Sequence, residues 1–200
     1  MNPNESRLSP YLESTDETSS GTQNRTIKPS TDREVLMVSI VPMVKSDATK
    51  IMPIEETSFE NPYSPYKICE LLQYEDHFGL LALNDDEEVV GYAIVEIRSK
   101  CLGIVSIAVA KEHREKLVGS QLVNMIVNLA HGNCRDIVVT VVRKSNTRAQ
   151  TFFEKQKFIQ VDESSNAYNE CPNEPACTYL RYIPRIRSQR QFLSNDQSLN

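Results

Sequence analysis

The sequence predicts an α/β protein with one mixed sheet and helices on both faces, and two observations carry this prediction. Two segments at 77–85 and 87–98 show period-two alternation, and a nearly continuous apolar segment follows at 102–110, which predicts a three-stranded meander. Helical apolar spacing then precedes another apolar strand, and this β-α-β crossover makes one strand pair parallel. A meander that feeds a crossover implies a mixed sheet covered on both sides.

The elements before the meander are one strand and two helices. The strand is predicted at 35–43, where a proline terminates it. The first helix can begin at Ser46 or Asp47, because either side chain can act as its N-cap. The second helix has Ser64 as its N-cap and Pro65 at its first position, where the missing N–H leaves no helical bond unmade.

Helices and strands alternate after the meander. Apolar residues at helical spacing run over 116–132, and an apolar strand follows at 136–142. Asn146 is the predicted N-cap of the last helix. Two strands at 157–161 and 176–183 then close the domain. The predicted order is β-α-α-β-β-β-α-β-α-β-β.

Composition divides the 200-residue chain into three parts. Residues 1–33 are rich in Ser, Thr, Asn, Pro and charge, so they cannot bury enough apolar surface to offset the entropy lost on ordering. Residues 185–200 have the same character. We therefore predict two disordered tails around a single domain at 34–184, which is close to the usual domain size.

Charge and hydropathy argue against two classes of partner. The net charge is -5 and the chain carries no sustained Lys/Arg face, so we expect no nucleic-acid binding. No apolar run approaches the roughly 18 residues of a membrane span. The N-terminus also lacks the apolar core of a signal peptide. We therefore expect no membrane partner and a cytoplasmic location.

The five cysteines predict neither a metal site nor a disulfide framework. Cys69, Cys101 and Cys134 lie in apolar settings, and we expect them to be small core residues. Cys171 and Cys177 enclose a five-residue gap that matches no zinc signature, and no histidine lies nearby. A disulfide between these two cysteines is the alternative, and a reducing compartment disfavours it.

The segment "REKLVGS", from Arg114 to Ser120, joins the last strand of the meander to the next helix. The free N–H groups of a helix N-terminus and the helix dipole attract anions, and Arg114 and Lys116 add positive charge. The segment can therefore hold a phosphate group. Many strand-to-helix turns bind nothing, and the segment by itself leaves both interpretations open. His113, just before it, can contact a bound ligand or be an exposed turn residue, and we expect the exposed turn residue.

Two motifs lie some thirty residues apart. Arg114, Leu117 and Gly119 match an Arg/Gln-x-x-Gly-x-Gly/Ala loop, and the stretch 146–158 matches Asn-x-x-Ala-x-x-Phe/Leu-Tyr-Glu-x-x-Gly-Phe. Together they resemble the GNAT-type N-acetyltransferase superfamily, and within it the ribosomal-protein alanine N-acetyltransferase branch. The resemblance covers about residues 36–183. It implies a mixed, mostly antiparallel sheet whose fourth and fifth strands splay apart.

The resemblance also implies a reaction, which is acetyl transfer from acetyl-CoA to a primary amine. The pantetheine arm of acetyl-CoA would lie in the gap between the splayed strands, and a backbone N–H would stabilise the tetrahedral oxyanion. The loop amides would hold the pyrophosphate, and Asn146 would bind the amide portion of the cofactor or act only as an N-cap. The implied cofactor-binding residues are Ile107, Ala108, Val109, Arg114, Glu115, Lys116, Leu117, Val118, Gly119, Ser120, Asn146 and Phe153.

Three positions depart from the family pattern. Leu117 stands at the first glycine of the loop, so the cradle is retained if this residue has ordinary helical φ and ψ angles. Phe153 replaces the tyrosine that is the expected general acid, and Val141 replaces the glutamate that acts as base in the nearest branch. Acid–base assistance contributes roughly 10²–10⁴-fold to a rate, so its loss is large but leaves the rest of catalysis in place.

Four other side chains are candidates to replace the missing acid and base. Tyr168 lies in the loop expected to overhang the acceptor site, and Glu96 lies on a central strand. These two are the predicted catalytic residues. Tyr92 shares a strand with Glu96, and Ser106 can orient a water molecule. Each of the four residue types is also common as an ordinary surface or core residue.

Three functions are therefore open at this point. The first is an active N-acetyltransferase that uses acetyl-CoA as co-substrate and acts on a protein α-amine, a lysine or a small amine, with the branch resemblance favouring a protein. The second is a degenerate, acyl-CoA-binding pseudoenzyme that regulates or interacts through its tails. The third is an interaction module whose cleft stays empty.

Overall fold

The computed structural model describes residues 34–165 and 175–184. The predicted disordered tails at 1–33 and 185–200, together with Cys171 and Tyr168, lie outside these described residues. Within these described residues, seven strands and four α-helices follow the predicted order. The strands are β1 (Ser39–Met43), β2 (His77–Leu83), β3 (Val89–Ile97), β4 (Cys101–Val109), β5 (Ile137–Arg143), β6 (Ile159–Ser164) and β7 (Ala176–Tyr182). The helices are α1 (Met52–Ser58), α2 (Pro65–Leu71), α3 (Val118–Gly132) and α4 (Thr147–Lys155).

All seven strands form one sheet in the order β1-β2-β3-β4-β5-β7-β6. Every neighbouring pair is antiparallel except β4 and β5, which are parallel and are joined through α3. This is the predicted mixed, mostly antiparallel sheet. Within the meander β2-β3-β4 short turns return the chain antiparallel, whereas the crossover through α3 brings β5 back parallel to β4.

Helices cover both faces of the sheet, as predicted. One core lies between the sheet and α1 and α2, where Ile51, Ile54 and Ile68 pack against Tyr92 and Ile94 of β3. The second core lies on the opposite face. There the apolar stripe of α3 packs with phenylalanines from the α4 region against β3, β4, β5 and β7, and its buried members include Val95, Ile104, Leu122, Ile126, Val138, Phe153 and Phe158.

The parallel pair β4–β5 separates part of the way along its length. The two strands pair from Cys101 with Ile137 to Ile104 with Thr140, and both continue beyond this last pair without pairing to each other. The register between β3 and β4 skips Val105 at the same level, which is a β-bulge on β4. A bulge bends its strand and increases the local twist, so it accounts for β4 turning away from β5 at this point.

Local signals predicted some helix boundaries and missed others. Ser64 Oγ accepts a hydrogen bond from Lys67 N at 3.2 Å, which confirms the predicted N-cap of α2. The predicted start of α1 at Ser46 or Asp47 is wrong, because these residues form a separate 3₁₀ turn and α1 begins at Met52. Pro53 explains the break, since its ring would clash with the preceding turn of a continuous helix.

Two further expectations differ from the structure. Cys134 was expected in the core but is exposed, with a positive φ of 56°, in the turn that follows α3. A cysteine in such a turn cannot reach the core, because the turn itself lies at the surface. Cys177 is buried and is a free thiol, so it takes no part in a disulfide.

Candidate active site

A cleft of about 660 Å³ lies along the outer half of β4, beyond the last residue of β4 that pairs with β5. Its walls are this half of β4, the loop and first turn of α3, α4 with Asn146 before it and Gln156 after it, and the end of α1. The cleft brings together all of the predicted cofactor-binding residues except Lys116. The residues on its walls that the sequence did not single out include Ser58, Phe59, Thr147, Arg148, Thr151 and Gln156.

The outer half of β4 presents backbone groups to this cleft. Ile107, Ala108 and Val109 pair with β3 on one side, while on the other side β5 has already diverged. Backbone N–H and C=O groups on that edge therefore have no strand partner among the described residues. An extended ligand can satisfy them in the way an added strand would.

The loop before α3 contains two residues in the left-handed region. Glu115 has a φ of 67° and Leu117, the N-cap of α3, has a φ of 65° and a ψ of 6°. The condition stated for Leu117, ordinary helical angles, is therefore not met. This conformation explains why the family pattern has a glycine here, because a side chain with positive φ costs about 1–2 kcal/mol. Left-handed residues at alternate positions turn successive N–H groups toward one side, which makes a concave site for anions.

The first turn of α3 adds further N–H groups to the same place. Its first backbone bond runs from Gln121 N to Leu117 O at 3.0 Å, so the N–H groups of Val118, Gly119 and Ser120 precede it. Gly119 also permits close packing against α4. A Cβ atom at this position would lie 3.2 Å from the ring of Phe152, tighter than ordinary van der Waals contact.

The side chain of Arg114 holds two walls of the cleft together. Its Nε donates to Val109 O at 2.9 Å, and its Nη2 donates to Ser58 Oγ at 2.9 Å. The contribution of Arg114 to an anion site thus comes from its backbone and its charge, while its fork of donors joins β4 to α1. Lys116 does not line the cleft and pairs instead with Glu34, at 3.0 Å between Nζ and Oε2.

Asn146 and Phe153 occupy the α4 side of the cleft. Asn146 Oδ1 accepts from Ala149 N at 3.0 Å, which confirms the predicted N-cap and leaves the Nδ2 group of the same exposed side chain to donate to a ligand. Phe153 is buried between Phe152 and Phe158, with ring centroids 5.2 and 5.1 Å away. Its ring therefore forms a firm apolar wall.

A family model describes this arrangement. The model of the acetyltransferase (GNAT) family matches residues 48–158, which is more than half of the chain and includes α1, the β3–β4 hairpin, the loop, α3 and α4. The chain belongs to the GNAT acetyltransferase family. Members of this family use acetyl-CoA, and the fold supports acetyl transfer in general.

Solved GNAT structures have the same fold at low sequence identity. The ribosomal-protein-S18-alanine N-acetyltransferase of Escherichia coli is 18% identical with a TM-score of 0.66, over 76% of this chain and 98% of that chain. Ard1 of Thermoplasma volcanium is 23% identical with a TM-score of 0.66, over 74% of this chain and 99% of that one. NAA60 of Arabidopsis thaliana, solved with acetyl-CoA, is 16% identical with a TM-score of 0.62, over 74% and 99%. A comparison with curated protein sequences finds no match.

The cleft of this GNAT domain contains a polar group that fits a cofactor. His113 was expected to be an exposed turn residue, but it is half-buried and lines the cleft. Its Nδ1 is buried and has no hydrogen-bond partner among the described residues. Leaving such an atom unsatisfied costs about 1–3 kcal/mol, which a polar group of a bound ligand can recover. With the concave loop, His113 therefore fits the polar part of acetyl-CoA.

Of the two predicted catalytic residues, one lies apart from the cleft. Glu96 pairs with Gly103 across the β3–β4 ladder, and its carboxylate accepts from Arg98 Nη2 at 2.6 Å. It is not among the residues of the cleft wall. Tyr168 lies outside the described residues.

One buried side chain beside the cleft was missed. Glu55 is 1% exposed, and its carboxylate accepts from Tyr63 N at 2.8 Å and from the Tyr92 hydroxyl. Burial raises the pKa of Glu55 to about 6, and the hydrogen bond from Tyr63 lowers it in part. A signal was present in the sequence, since Glu55 follows Ile51 by four residues and so shares its inward helical face.

Within the described residues, no helix combines the length and the apolar character needed to cross a bilayer. Across residues 34–165 and 175–184, no three His, Cys, Asp or Glu side chains lie together as ligands for a metal ion. Neither observation bears on the tails.

Proposed function

We propose that this protein transfers an acetyl group from acetyl-CoA to a primary amine, and that the acceptor is an N-terminal or lysine amine of a protein. The observation that carries the proposal is the cleft beside the outer half of β4, which no longer pairs with β5, together with the concave loop of α3 on the cleft wall. The shape has two parts with different chemistry. An edge of free strand backbone suits an amide-containing arm, and a cluster of N–H groups suits a pyrophosphate.

Each wall of the cleft has a role in this proposal. The backbone of 107–109 binds the pantetheine arm and polarises the thioester carbonyl, so that the oxyanion formed on attack meets a fixed N–H. The amides of 114–120 bind the pyrophosphate, and Asn146 Nδ2 binds an amide of the arm. His113 donates to or accepts from a polar group of the same ligand. The ring of Phe153 excludes water from the sulfur.

The proposed mechanism relies on positioning more than on a dedicated acid. Holding the amine against the thioester can contribute as much to the rate as proton transfer does. A thiol with an ordinary pKa of about 8.5 can also leave as the thiolate without a tyrosine to protonate it. Tyr168 and Glu96 remain the candidates named from the sequence, and the separation of Glu96 from the cleft wall favours Tyr168 of the two.

The structural neighbours support a protein acceptor. One is a ribosomal-protein alanine N-acetyltransferase, and another is a NatC complex that was solved with a Gag peptide and CoA at 15% identity. A spermidine/spermine N-acetyltransferase of Vibrio cholerae, also 15% identical, keeps a small amine in the set of acceptors to be tested. At these identities the likeness concerns the fold, so the acceptor is assigned by experiment.

A second candidate function is a pseudoenzyme that binds acyl-CoA and regulates a partner. The observation that favours it is the pair Phe153 and Val141, which stand where the family has its acid and base. Phe153 lines the cleft with a ring that cannot exchange a proton, and Val141 is 43% exposed on β5.

One experiment separates the two functions. The full chain is incubated with acetyl-CoA and with a panel of peptides, free lysine and polyamines, and thiol release is measured beside acetyl-CoA binding by calorimetry. Binding with turnover supports the transferase, binding without turnover supports the pseudoenzyme, and absence of binding refutes both. The control is a pair of glycines in α3. Gly119→Leu should abolish binding because Phe152 blocks the new side chain, whereas Gly132→Leu should not, since nothing lies within 4 Å of a Cβ there.

A further inference from the structure

Three polar side chains from three elements form a hydrogen-bonded chain on the α1 face of the sheet. Glu55 comes from α1, Tyr92 from β3 and Ser106 from β4. The Tyr92 hydroxyl donates to Glu55 Oε2 and lies 3.0 Å from Ser106 Oγ. Exposed fractions are 1%, 0% and 8%, so the chain is buried at the glutamate and comes nearest to solvent at the serine.

Ser106 is not itself a residue of the cleft wall, but it lies directly before Ile107, the first residue of β4 on that wall. It is two residues beyond Ile104, which makes the last pair with β5, and it directly follows the bulged residue Val105. Its neighbour Ile107 lines the cleft. The bulge therefore turns the Ser106 hydroxyl toward α1 while the backbone that follows it faces the cofactor side.

Within residues 34–165 and 175–184, Glu55 has no cationic partner to hold its charge. The 3₁₀ turn before α1 contributes Asp47, which pairs with Lys50 at 2.8 Å, and the following residue of α1, Glu56, is exposed. Arg114 approaches the end of the helix but bonds Ser58. Burial thus raises the pKa of Glu55 to about 6, near the range where a carboxylate is an effective base at neutral pH.

We propose that Ser106, Tyr92 and Glu55 form a proton relay that removes the proton of the acceptor amine during acetyl transfer, with Ser106 as the member that touches the amine. This inference rests on the proposed function. It assigns the base role to residues at three positions that the family motifs quoted for this chain do not include. The relay would compensate for Val141 at the position of the family's glutamate.

Acetyl transfer through this relay begins with attack of the amine on the thioester. The lone pair of the neutral amine forms a bond to the thioester carbon, and the carbonyl π pair moves to oxygen. The nitrogen, now positive, gives a proton to Ser106 Oγ while the Ser106 proton passes to the Tyr92 oxygen and the Tyr92 proton passes to Glu55. The carbonyl then re-forms, the C–S bond breaks, and the bonding pair leaves with the sulfur. The thiolate takes a proton from water, and Glu55 returns its proton to solvent through the same chain.

The test compares Glu55→Gln, Tyr92→Phe and Ser106→Ala with Glu56→Gln as the matched control on an exposed position of the same helix. The readouts are the pH profile of kcat/KM for the best acceptor and the affinity for acetyl-CoA. Each relay variant should lower kcat roughly 10²-fold or more with unchanged acetyl-CoA affinity. In the wild type, kcat/KM should rise with pH with an apparent pKa near 6. This rise, the limb near pH 6, should be absent from Glu55→Gln.

The outcomes distinguish failure of the relay from failure of the function. If the wild type turns over and Glu55→Gln keeps both its rate and the limb near pH 6, the relay is refuted and acetyl transfer stands. If the wild type binds acetyl-CoA without any turnover, the proposed function fails and the relay fails with it. Circular dichroism identifies a variant that does not fold. In that case the relay is tested by comparing the rates of Ser106→Thr and Ser106→Ala. Only the threonine keeps the hydroxyl, so it should restore the rate that the alanine loses.

Discussion

Arg114 donates one hydrogen bond to Ser58 of α1 and a second to the carbonyl of Val109 on β4, each at 2.9 Å. All three residues line the cleft. A single guanidinium therefore joins α1 to β4 at the wall of the cleft. The planar fork of arginine suits this double contact, and the point charge of lysine does not.

Arg114→Lys should weaken both the fold and the cleft. Hydrogen bonds from a charged donor contribute about 1.5–3 kcal/mol each, and a lysine can make one of the two, so we expect a loss of about 2 kcal/mol in the free energy of unfolding. Urea denaturation measures this loss, and calorimetry should show weaker acetyl-CoA binding. Ser58→Ala is the control, because it removes the partner in α1 and keeps the bond to Val109. Equal stability of Arg114→Lys and the wild type would contradict the proposed role.

Leu117→Gly should stabilise the protein by about 1 kcal/mol, because glycine adopts a positive φ without the steric cost that leucine has. The same change removes a side chain that is 39% exposed at the rim of the cleft, so acetyl-CoA should bind more tightly. Thermal unfolding and calorimetry measure the two effects. Leu117→Ala separates them, since alanine removes the bulk but keeps the left-handed strain. A stability gain as large in Leu117→Ala as in Leu117→Gly would rule out the conformational explanation.

Phe153→Tyr should raise kcat by roughly 10-fold or more if this position retains the general-acid role that the family resemblance implies. Phe153 lines the cleft, so a new hydroxyl there can face the departing sulfur. Phe158→Tyr is the matched control, because Phe158 is 2% exposed in the same aromatic cluster but is not a residue of the cleft wall. It should lower stability and leave kcat unchanged. No gain in Phe153→Tyr would mean that the mechanism has been rearranged.

Glu55→Gln should change how stability depends on pH. The folded protein holds the Glu55 proton up to a pKa of about 6, against an ordinary value of 4.5, so the folded state binds more protons than the unfolded chain between these values. Stability of the wild type therefore falls as pH rises through this window, by about 2 kcal/mol from this one group. Glutamine does not titrate, so Glu55→Gln lacks this pH-dependent contribution to stability. The stability of Glu55→Gln relative to the wild type should therefore rise by that amount from pH 4.5 to pH 7.

Urea titrations at several pH values measure this difference directly. Glu56→Gln should show a nearly constant difference from the wild type, since Glu56 is exposed. Asp47, the other buried carboxylate among the described residues, does not add to the change in stability over this pH range. Its hydrogen bond with Lys50 lowers its pKa below 3.8, so its own effect appears only in more acidic solution.

Local chemistry made several parts of this structure predictable. Ser64 and Asn146 were predicted as N-caps and their side-chain oxygens accept the expected backbone bonds, because a cap depends on residues only three positions apart. The meander and the crossover followed from apolar periodicity and short connections. The loop before α3 was singled out through two motifs, and the wall of one cleft contains nearly all of the residues that the resemblance implied.

Other features required contacts between distant parts of the chain. The backbone of Leu117 is left-handed although the sequence offers no glycine there, because the loop must turn from β4 into α3 within a few residues. Glu55 and Tyr92 are 37 residues apart, and no local pattern pairs them.

The sequence alone determined the order of the elements, the N-caps of α2 and α4 and the family, since these depend on spacing along the chain and on short motifs. Only the tertiary structure decided that the bulge at Val105 coincides with the last β4–β5 pair, and that a buried carboxylate of α1 reaches Ser106 through Tyr92. Both results depend on how the sheet and α1 pack in three dimensions. That packing sets the burial of Glu55 and therefore its pKa.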